Sequence, residues 1–367
     1  MHGVALLCGG IFARIAHLPA LKDVPEFKLK AIWSRSESSV KSLNEEAEKL
    51  SLAYDLSVYH DSPVSPNGGL SSLLAREDIK TVILSLPIVS QPDIIRKAWE
   101  AGKNVISEKP VAKDIESAKE LIQTWETSYK PKGIHWIIAE QYPYEPAFVE
   151  ARKILASGEI GELRSFSFDL FGYTAIDTPY NLTQWRAKPD YQGGYLLDGG
   201  VHYFAGLRHA LDGYKGTKLT GIIASSRLIQ GHLFPLDTLH GLIKTSTDVG
   251  GTFNMSFGHE QPSSLVYAFR GSQAVLTVIL TKDGSASRYH LTTTSKKDGI
   301  IKQTEVGVTG VAEEMKAFGK ALSAGMGSQE AEGVCSRSGP RAALCDVAAV
   351  EGALASGQNE RWYSLDL

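Results

Sequence analysis

The chain has little cysteine. Its 367 residues include three, Cys8, Cys335 and Cys345, widely scattered and odd in number. That excludes a disulfide-rich scaffold, and the spacing matches no metal-ligand set. No HExxH sequence and no compact Cys/His cluster occurs, so no metal is expected. No apolar run approaches the roughly 18 residues that span a bilayer. The start, MHGVALL, is short and lacks the basic opening of a secretory signal, and the final Leu365-Asp366-Leu367 is not a Ser-Lys-Leu peroxisomal address. A cytoplasmic protein with no membrane partner is therefore expected. Asn181-Leu182-Thr183 fits a glycosylation sequon, which without export is expected to stay unmodified. Charge of one sign is also scarce: 38 basic residues against 41 acidic ones leave a formal charge of -3. That balance holds no large excess to grip a nucleic-acid backbone, and no nucleic-acid partner is expected.

What is present is ordinary globular composition, 43% hydrophobic and 22% charged, in a chain long enough for two domains with a sizeable core. Residues 1–141 alternate short apolar runs with amphipathic segments. Strands are expected at 3–8, 27–34, 56–60, 81–87, 104–107 and 134–140, with helices at 12–22, 37–50, 70–76, 91–101 and 114–127. Unbroken runs such as VILSL suit parallel strands buried on both faces, so this part reads as an α/β domain with a parallel sheet covered on both faces.

The rhythm changes in residues 142–367. A helix at 144–157 and a strand at 162–172 lead to an aromatic, turn-rich loop at 173–195. A helix is expected from near Gly199 to Ala210. Between 217 and 305, Thr-, Ser-, Val- and Tyr-rich strands separated by Gly and Asp-Gly breaks predict a large, mostly antiparallel open sheet. Two closing helices, near 311–325 and 341–355, flank a loop from Met326 to Pro340. Residues 142–367 are thus expected to form a second domain, with its last helices packing back on the first.

After the first strand, Cys8-Gly9-Gly10-Ile11-Phe12-Ala13 aligns in part with a Gly-x-Gly-x-x-Gly/Ala fingerprint, with Cys8 in place of the first glycine. Gly10 lets backbone approach a pyrophosphate, Ala13 allows close helix–strand packing, and Gly9 supplies the backbone freedom lost at Cys8. The following helix N-terminus offers amide N–H groups to phosphate. The second strand ends Trp33-Ser34-Arg35-Ser36, with no acid before Glu37. An NAD site usually carries an acid there. Arg35 instead suits a 2′-phosphate, with Ser34 and Ser36 as further donors, so NADP(H) is the expected cofactor.

Three segments at or beyond strand ends carry reactive side chains: Glu108-Lys109-Pro110, Ala139-Glu140-Gln141-Tyr142, and the run from Gly193 through Asp198 to His202. Asp198 and His202 are four apart, on one face of a helix starting there, and Asp198 is also a candidate cap for that helix. Each residue also admits a plainer role. Lys109 is then a solvated strand end, His202 a satisfied core or surface histidine, and His17 a structural helix residue.

These motifs together resemble the Gfo/Idh/MocA family of NAD(P)-dependent oxidoreductases over nearly the whole chain. The resemblance extends to fungal NADP(H)-linked members, whose first helix carries the Ile11-Phe12-Ala13 and His17-Leu18-Pro19 sequences seen here. It implies a Rossmann domain followed by an α/β domain whose open sheet forms a homodimer contact. It implies that Lys109 meets nicotinamide and substrate, and that Asp198 and His202 are catalytic. The Trp-Arg segment of the family falls on Trp185-Arg186, and Gln141 replaces an asparagine. The expected cofactor contacts are Gly9, Gly10, Ile11, Phe12, Ser34, Arg35, Ser36, Leu86, Pro87, Gln91, Glu108, Lys109 and Gln141. The expected substrate contacts are Tyr142, Tyr180, Trp185 and Arg186.

The expected activity is hydride transfer between NADP(H) and a sugar, polyol, dihydrodiol or small carbonyl substrate. His202 or Lys109 carries the proton, and Lys109 stabilises charge on the substrate oxygen. Two alternatives stay open: a non-catalytic NAD(P)-binding regulator, and a non-redox enzyme that oxidises its substrate only transiently.

Overall fold

Strand β1 (His2–Leu7) sits at the middle of the first sheet because Val4 to Leu7 are wholly buried, apolar on both faces. The computed structural model describes residues 2–61, 68–260, 262–283, 286–295, 297, 299–325, 327–365 and 367. They divide into two compact units, one from Met1–Glu140 with Val311–Leu344, the other from Gln141–Gly310 with Cys345–Leu367.

In the first unit β1 leads through a π turn (Ala13–His17) to α1 (Leu18–Lys22). Then come β2 (Phe27–Ser34), α2 (Glu37–Lys49), β3 (Ser57–His60), α3 (Leu70–Leu74), β4 (Thr81–Leu84), α4 (Gln91–Glu100), β5 (Asn104–Glu108), α5 (Ile115–Ser128) and β6 (Trp136–Ala139). The six strands are all parallel in the order β3-β2-β1-β4-β5-β6. The order reverses between β1 and β4, and in such a sheet the ligand crevice lies at the carboxyl ends of those two strands. Residues 9–12 follow β1 there, and residues 85–87 follow β4.

The second unit contains α6 (Pro146–Ser157), β7 (Leu163–Phe171), α7 (Gln184–Ala187), α8 (Tyr195–Asp212), β8 (Leu219–Arg227), β9 (Thr238–Thr245), β10 (Gly250–Ser256), β11 (Ser264–Gly271), β12 (Ala274–Asp283), β13 (Ala286–Ser295) and β14 (Gly299–Gly307). Its nine-stranded sheet runs β14-β13-β12-β11-β7-β10-β9-β8 and ends on β15 (Tyr363–Ser364), antiparallel except where β10 runs parallel to β7. Phe204 of α8 meets Phe168 and Phe253 edge-on, which locks this helix to the sheet.

Three expectations need correction. Helix α8 begins at Tyr195, not near Gly199. Gly194, at φ 51°, makes the turn that starts it, so Asp198 lies in the first turn and does not cap it. Gly199 and Gly200 read as a boundary, but they are small because a Cβ would come within 2.8 Å of Phe257 and of Met255, respectively. The loop expected at 173–195 contains the short helix α7. The loop expected at Met326–Pro340 is largely a helix, α10 (Gln329–Ser338), between α9 (Gly310–Ala324) and α11 (Pro340–Asn359); Met326 itself lies outside the described residues. Ser328 caps α10, and Ala331, Val334 and Ser338 form its buried stripe, with Ala331 and Val334 against Trp136 and Ile137 of β6. The weak apolar signal of so many small residues hid it. The two-residue strand β15 (Tyr363–Ser364), paired with β8, was too short to read.

Candidate active site

The turn after β1 is built around sulfur. Cys8 is buried, and its Sγ accepts the Gly10 N–H at 2.8 Å. Burial pushes its thiol up to about 11, more than the Gly10 hydrogen bond lowers it. Gly9 is required for space and not for a left-handed backbone: a Cβ there would lie 2.5 Å from Cβ of Ser39 and 2.6 Å from Oγ of Ser34. Ala13 is fully buried, as close helix–strand packing requires. Gly10 is exposed, and Ile11 and Phe12 are half-buried.

At the end of β2, Ser34 is buried, whereas Arg35 is exposed and makes no hydrogen bond or ion pair among the described residues. Ser36 caps α2 by accepting the Ser39 N–H at 3.3 Å, and its hydroxyl donates to Ser39 Oγ. Beyond β4, Leu86 and Pro87 are half-buried, and Gln91 opens α4. The Gln91 side chain is 2% exposed, yet neither end of its amide has a hydrogen-bond partner. Glu108 ends β5 and is held by His17, whose Nε2 lies 2.7 Å from Oε1. Lys109, the next residue, is half-buried and enters a cis peptide with Pro110.

The second unit gathers the other candidates on α7, α8 and the segment before α6. Asp198 and Arg186 form a buried ion pair, 2.7 Å from Nε to Oδ2. The Arg186 guanidinium lies 3.9 Å from the ring centre of Trp185 and 5.1 Å from that of Tyr180. His202 stacks on Tyr142 at 5.0 Å, and Tyr142 in turn meets Phe148 and Tyr203. Gln141 is half-buried at the boundary of this unit. Thus Arg186, Trp185 and Tyr180 gather at Asp198, and Tyr142 stacks on His202, one helical turn further along α8. The Tyr195 hydroxyl is buried in the same turn as Asp198. Desolvation raises its pKa to about 12, so Tyr195 stays a neutral phenol at physiological pH.

Two family models match the chain: an oxidoreductase family with an NAD-binding Rossmann fold over residues 4–131, and the GFO/IDH/MocA C-terminal domain over residues 148–277. The chain belongs to the Gfo/Idh/MocA oxidoreductase family. Dehydrogenase FPY6 of Fusarium mangiferae is 37% identical over 88% of this chain and 88% of its own length. A dTDP-3,4-didehydro-2,6-dideoxy-alpha-D-glucose 3-reductase of Actinomadura kijaniata is 30% identical over 72% of this chain and 70% of its own. An oxidoreductase from Thermotoga maritima shares the fold at TM-score 0.80 and 24% identity, over 99% of this chain and 98% of its own. KijD10, a 3-ketoreductase from Actinomadura kijaniata solved with NADP and TDP-benzene, does so at TM-score 0.73 and 22% identity, over 97% of each chain.

For a Gfo/Idh/MocA oxidoreductase with an NAD(P)-binding fold, the first unit offers features that fit a dinucleotide. The glycine turn stands at the switch point of the sheet, and the orphaned Gln91 amide lies at the start of the helix after β4. An unsatisfied buried amide is costly unless a ligand completes it. Among the described residues no group of three or more His, Cys, Asp or Glu is placed to hold a metal, and no helix is long and apolar enough to cross a membrane. Sequence reasoning missed the His17–Glu108 pair, because its members stand 91 positions apart; the shared His-Leu-Pro segment was the only signal. It also left unread the ion pair between Arg186 and Asp198. The sequon residue Asn181 is buried, its amide donating to the Ile176 carbonyl, so it serves a turn.

Proposed function

We propose that this chain is an NADP(H)-dependent oxidoreductase that moves a hydride between cofactor and a sugar, polyol, dihydrodiol or small carbonyl compound. The observation that carries the reaction type is the arrangement on the first turns of α8, where Asp198 is clamped by Arg186 and His202 is stacked on Tyr142. The clamp keeps a carboxylate at a fixed place, and the stack fixes the plane of an imidazole, the side chain most often used as a general acid or base. A nicotinamide cofactor, when bound, supplies the hydride acceptor or donor. The protein's part is to take the hydroxyl proton in oxidation, for which His202 is the chosen base, and to hold the substrate oxygen. Lys109 donates to that oxygen and offsets its developing negative charge. Gly9, Gly10, Ile11 and Phe12 would receive the pyrophosphate side, and Leu86, Pro87, Gln91, Glu108 and Gln141 the ribose and nicotinamide side. Tyr142, Tyr180, Trp185 and Arg186 would line the substrate.

The preference for NADP(H) is supported by Arg35, exposed with no partner among the described residues at the end of β2, and by the absence of an acid before Glu37. The Actinomadura relative with a bound NADP lends the same preference. The name of the 30% identical relative, a dTDP-3,4-didehydro-2,6-dideoxy-alpha-D-glucose 3-reductase, supports a carbonyl on a sugar-like ring as one substrate class. A homodimer formed through the nine-stranded sheet completes the proposal. The test is a 340 nm screen of purified protein with NAD(H) and NADP(H), in both directions, against sugars, polyols, dihydrodiols and short aldehydes. Turnover with NADP(H) supports the reading. Saturable cofactor binding with no turnover across the panel favours a regulator instead.

A further inference from the structure

The π turn after the glycine loop inverts the usual order of burial. Ile15 is 61% exposed, while His17, two residues on, is 0% exposed. Turning an isoleucine out and a histidine in runs against local stability, and such conflicts are retained where the polar group has a task. A π turn holds one residue more than an α turn and so re-aims the side chains that follow, a feature frequent at functional sites.

The task is visible in the contacts. His17 Nε2 lies 2.7 Å from Oε1 of Glu108, the last residue of β5 and the one before Lys109. His17 Nδ1 is buried with no hydrogen-bond partner. A proton on Nδ1 would be a buried, unpaired donor, so the geometry assigns the proton to Nε2, donated to the carboxylate. The hydrogen bond fixes the Glu108 carboxylate one residue before Lys109. The same imidazole meets the Phe12 ring edge-to-face, at 5.2 Å and 88°. Phe12 belongs to the turn that follows Gly9 and Gly10.

We propose that His17 is a positioning residue: through Glu108 it sets the place of the Lys109 segment, and through Phe12 it ties that place to the cofactor loop. This rests on the reading of Lys109 as a group that touches substrate. His17 itself touches neither substrate nor cofactor.

The experiment compares His17→Leu, which removes the donor at similar volume, with His17→Gln, whose amide N–H can still be given to the carboxylate. Cofactor-free protein is labelled with trace N-hydroxysuccinimide acetate, and the Lys109-to-Lys153 labelling ratio is read by peptide mass spectrometry. His17→Leu is expected to move that ratio by about threefold or more, because an ammonium group responds readily to its surroundings, while His17→Gln stays near wild type. With a substrate from the screen, His17→Leu is expected to lose about tenfold or more in kcat, with KM for NADP(H) nearly unchanged and recovery in His17→Gln. If His17→Leu does not fold, His17→Asn, an amide one methylene shorter, replaces it in the comparison with His17→Gln. A lower Tm with an unchanged labelling ratio and unchanged kcat would make His17 merely structural and overturn the proposal. A ratio shifted by His17→Leu, in a protein whose wild type turns over no substrate of the screen, would leave the positioning intact and overturn the role given to Lys109.

Discussion

Arg186 does two things that a lysine would not do together. It donates to Asp198 and lies against the faces of Trp185 and Tyr180. A planar guanidinium suits both contacts, whereas an ammonium is a compact, strongly hydrated charge. Arg186→Ala removes a charged partner from a buried carboxylate, a loss of about 3–5 kcal/mol when a pair is fully buried and less here, where the arginine side chain keeps 15% exposure. Arg186→Lys is expected to recover less than half of that loss in urea unfolding; full recovery would remove the stacking argument. Arg35→Asp is expected to weaken NADP(H) binding far more than NAD(H) binding in fluorescence titrations, since a carboxylate repels a 2′-phosphate. Equal losses would contradict the proposed phosphate pocket. Cys8 gives a pH prediction. Its thiol ionises near 9.0 when unfolded and near 11 when folded, because burial disfavours the thiolate. The folded state therefore holds the proton longer, and this contribution to stability is complete below about pH 9 and is lost as pH rises toward 11. Folded protein at pH 8 should resist iodoacetamide at Cys8, and rapid alkylation there would refute its burial.

Elements were legible where periodicity was strong and long. Among the parallel strands β1, β4 and β6 show as apolar runs, β2 as a partly alternating one and β3 only weakly, and the antiparallel sheet shows as Thr- and Val-rich segments with Gly breaks. Two departures share one physical cause: glycine and other small residues suggest a break in a sequence, whereas here they serve close packing. Gly199 and Gly200 lie inside α8, and α10 packs through Ala331 and Val334 with little hydrophobic weight. The π turn is a separate case: its last residue, His17, meets Glu108, 91 positions away, a pairing no local pattern shows. Gly199→Ala puts a methyl group 2.8 Å from the Phe257 ring, an overpacking that typically costs about 1–3 kcal/mol. The urea midpoint should fall accordingly, with unfolding still a single transition for this unit. No change would mean that Phe257 yields freely and that the small residue is not needed for packing.

At the scale of the whole molecule, two compact units each carry part of the proposed chemistry. The first holds the glycine turn, Arg35, Gln91 and Lys109, and the second holds Arg186, Asp198 and His202. The motifs of both units were readable in the sequence because each depends on a short local run, Glu108-Lys109-Pro110 in one and Gly193 to His202 in the other. What gives those residues their settings was not readable, since Glu108, Asp198 and His202 take their partners from positions 17, 186 and 142. The central claim is that Lys109 and His202 serve one hydride transfer. The direct test is a double-mutant cycle on kcat, with Lys109→Ala, His202→Ala and the pair, alongside NADP(H) binding. Each single variant should keep cofactor affinity within about tenfold and lose about 10²–10⁴-fold in turnover, with the double variant little worse than either, as for groups that act as a unit. Near-normal turnover in either single variant, or losses that simply multiply in the pair, would contradict the account.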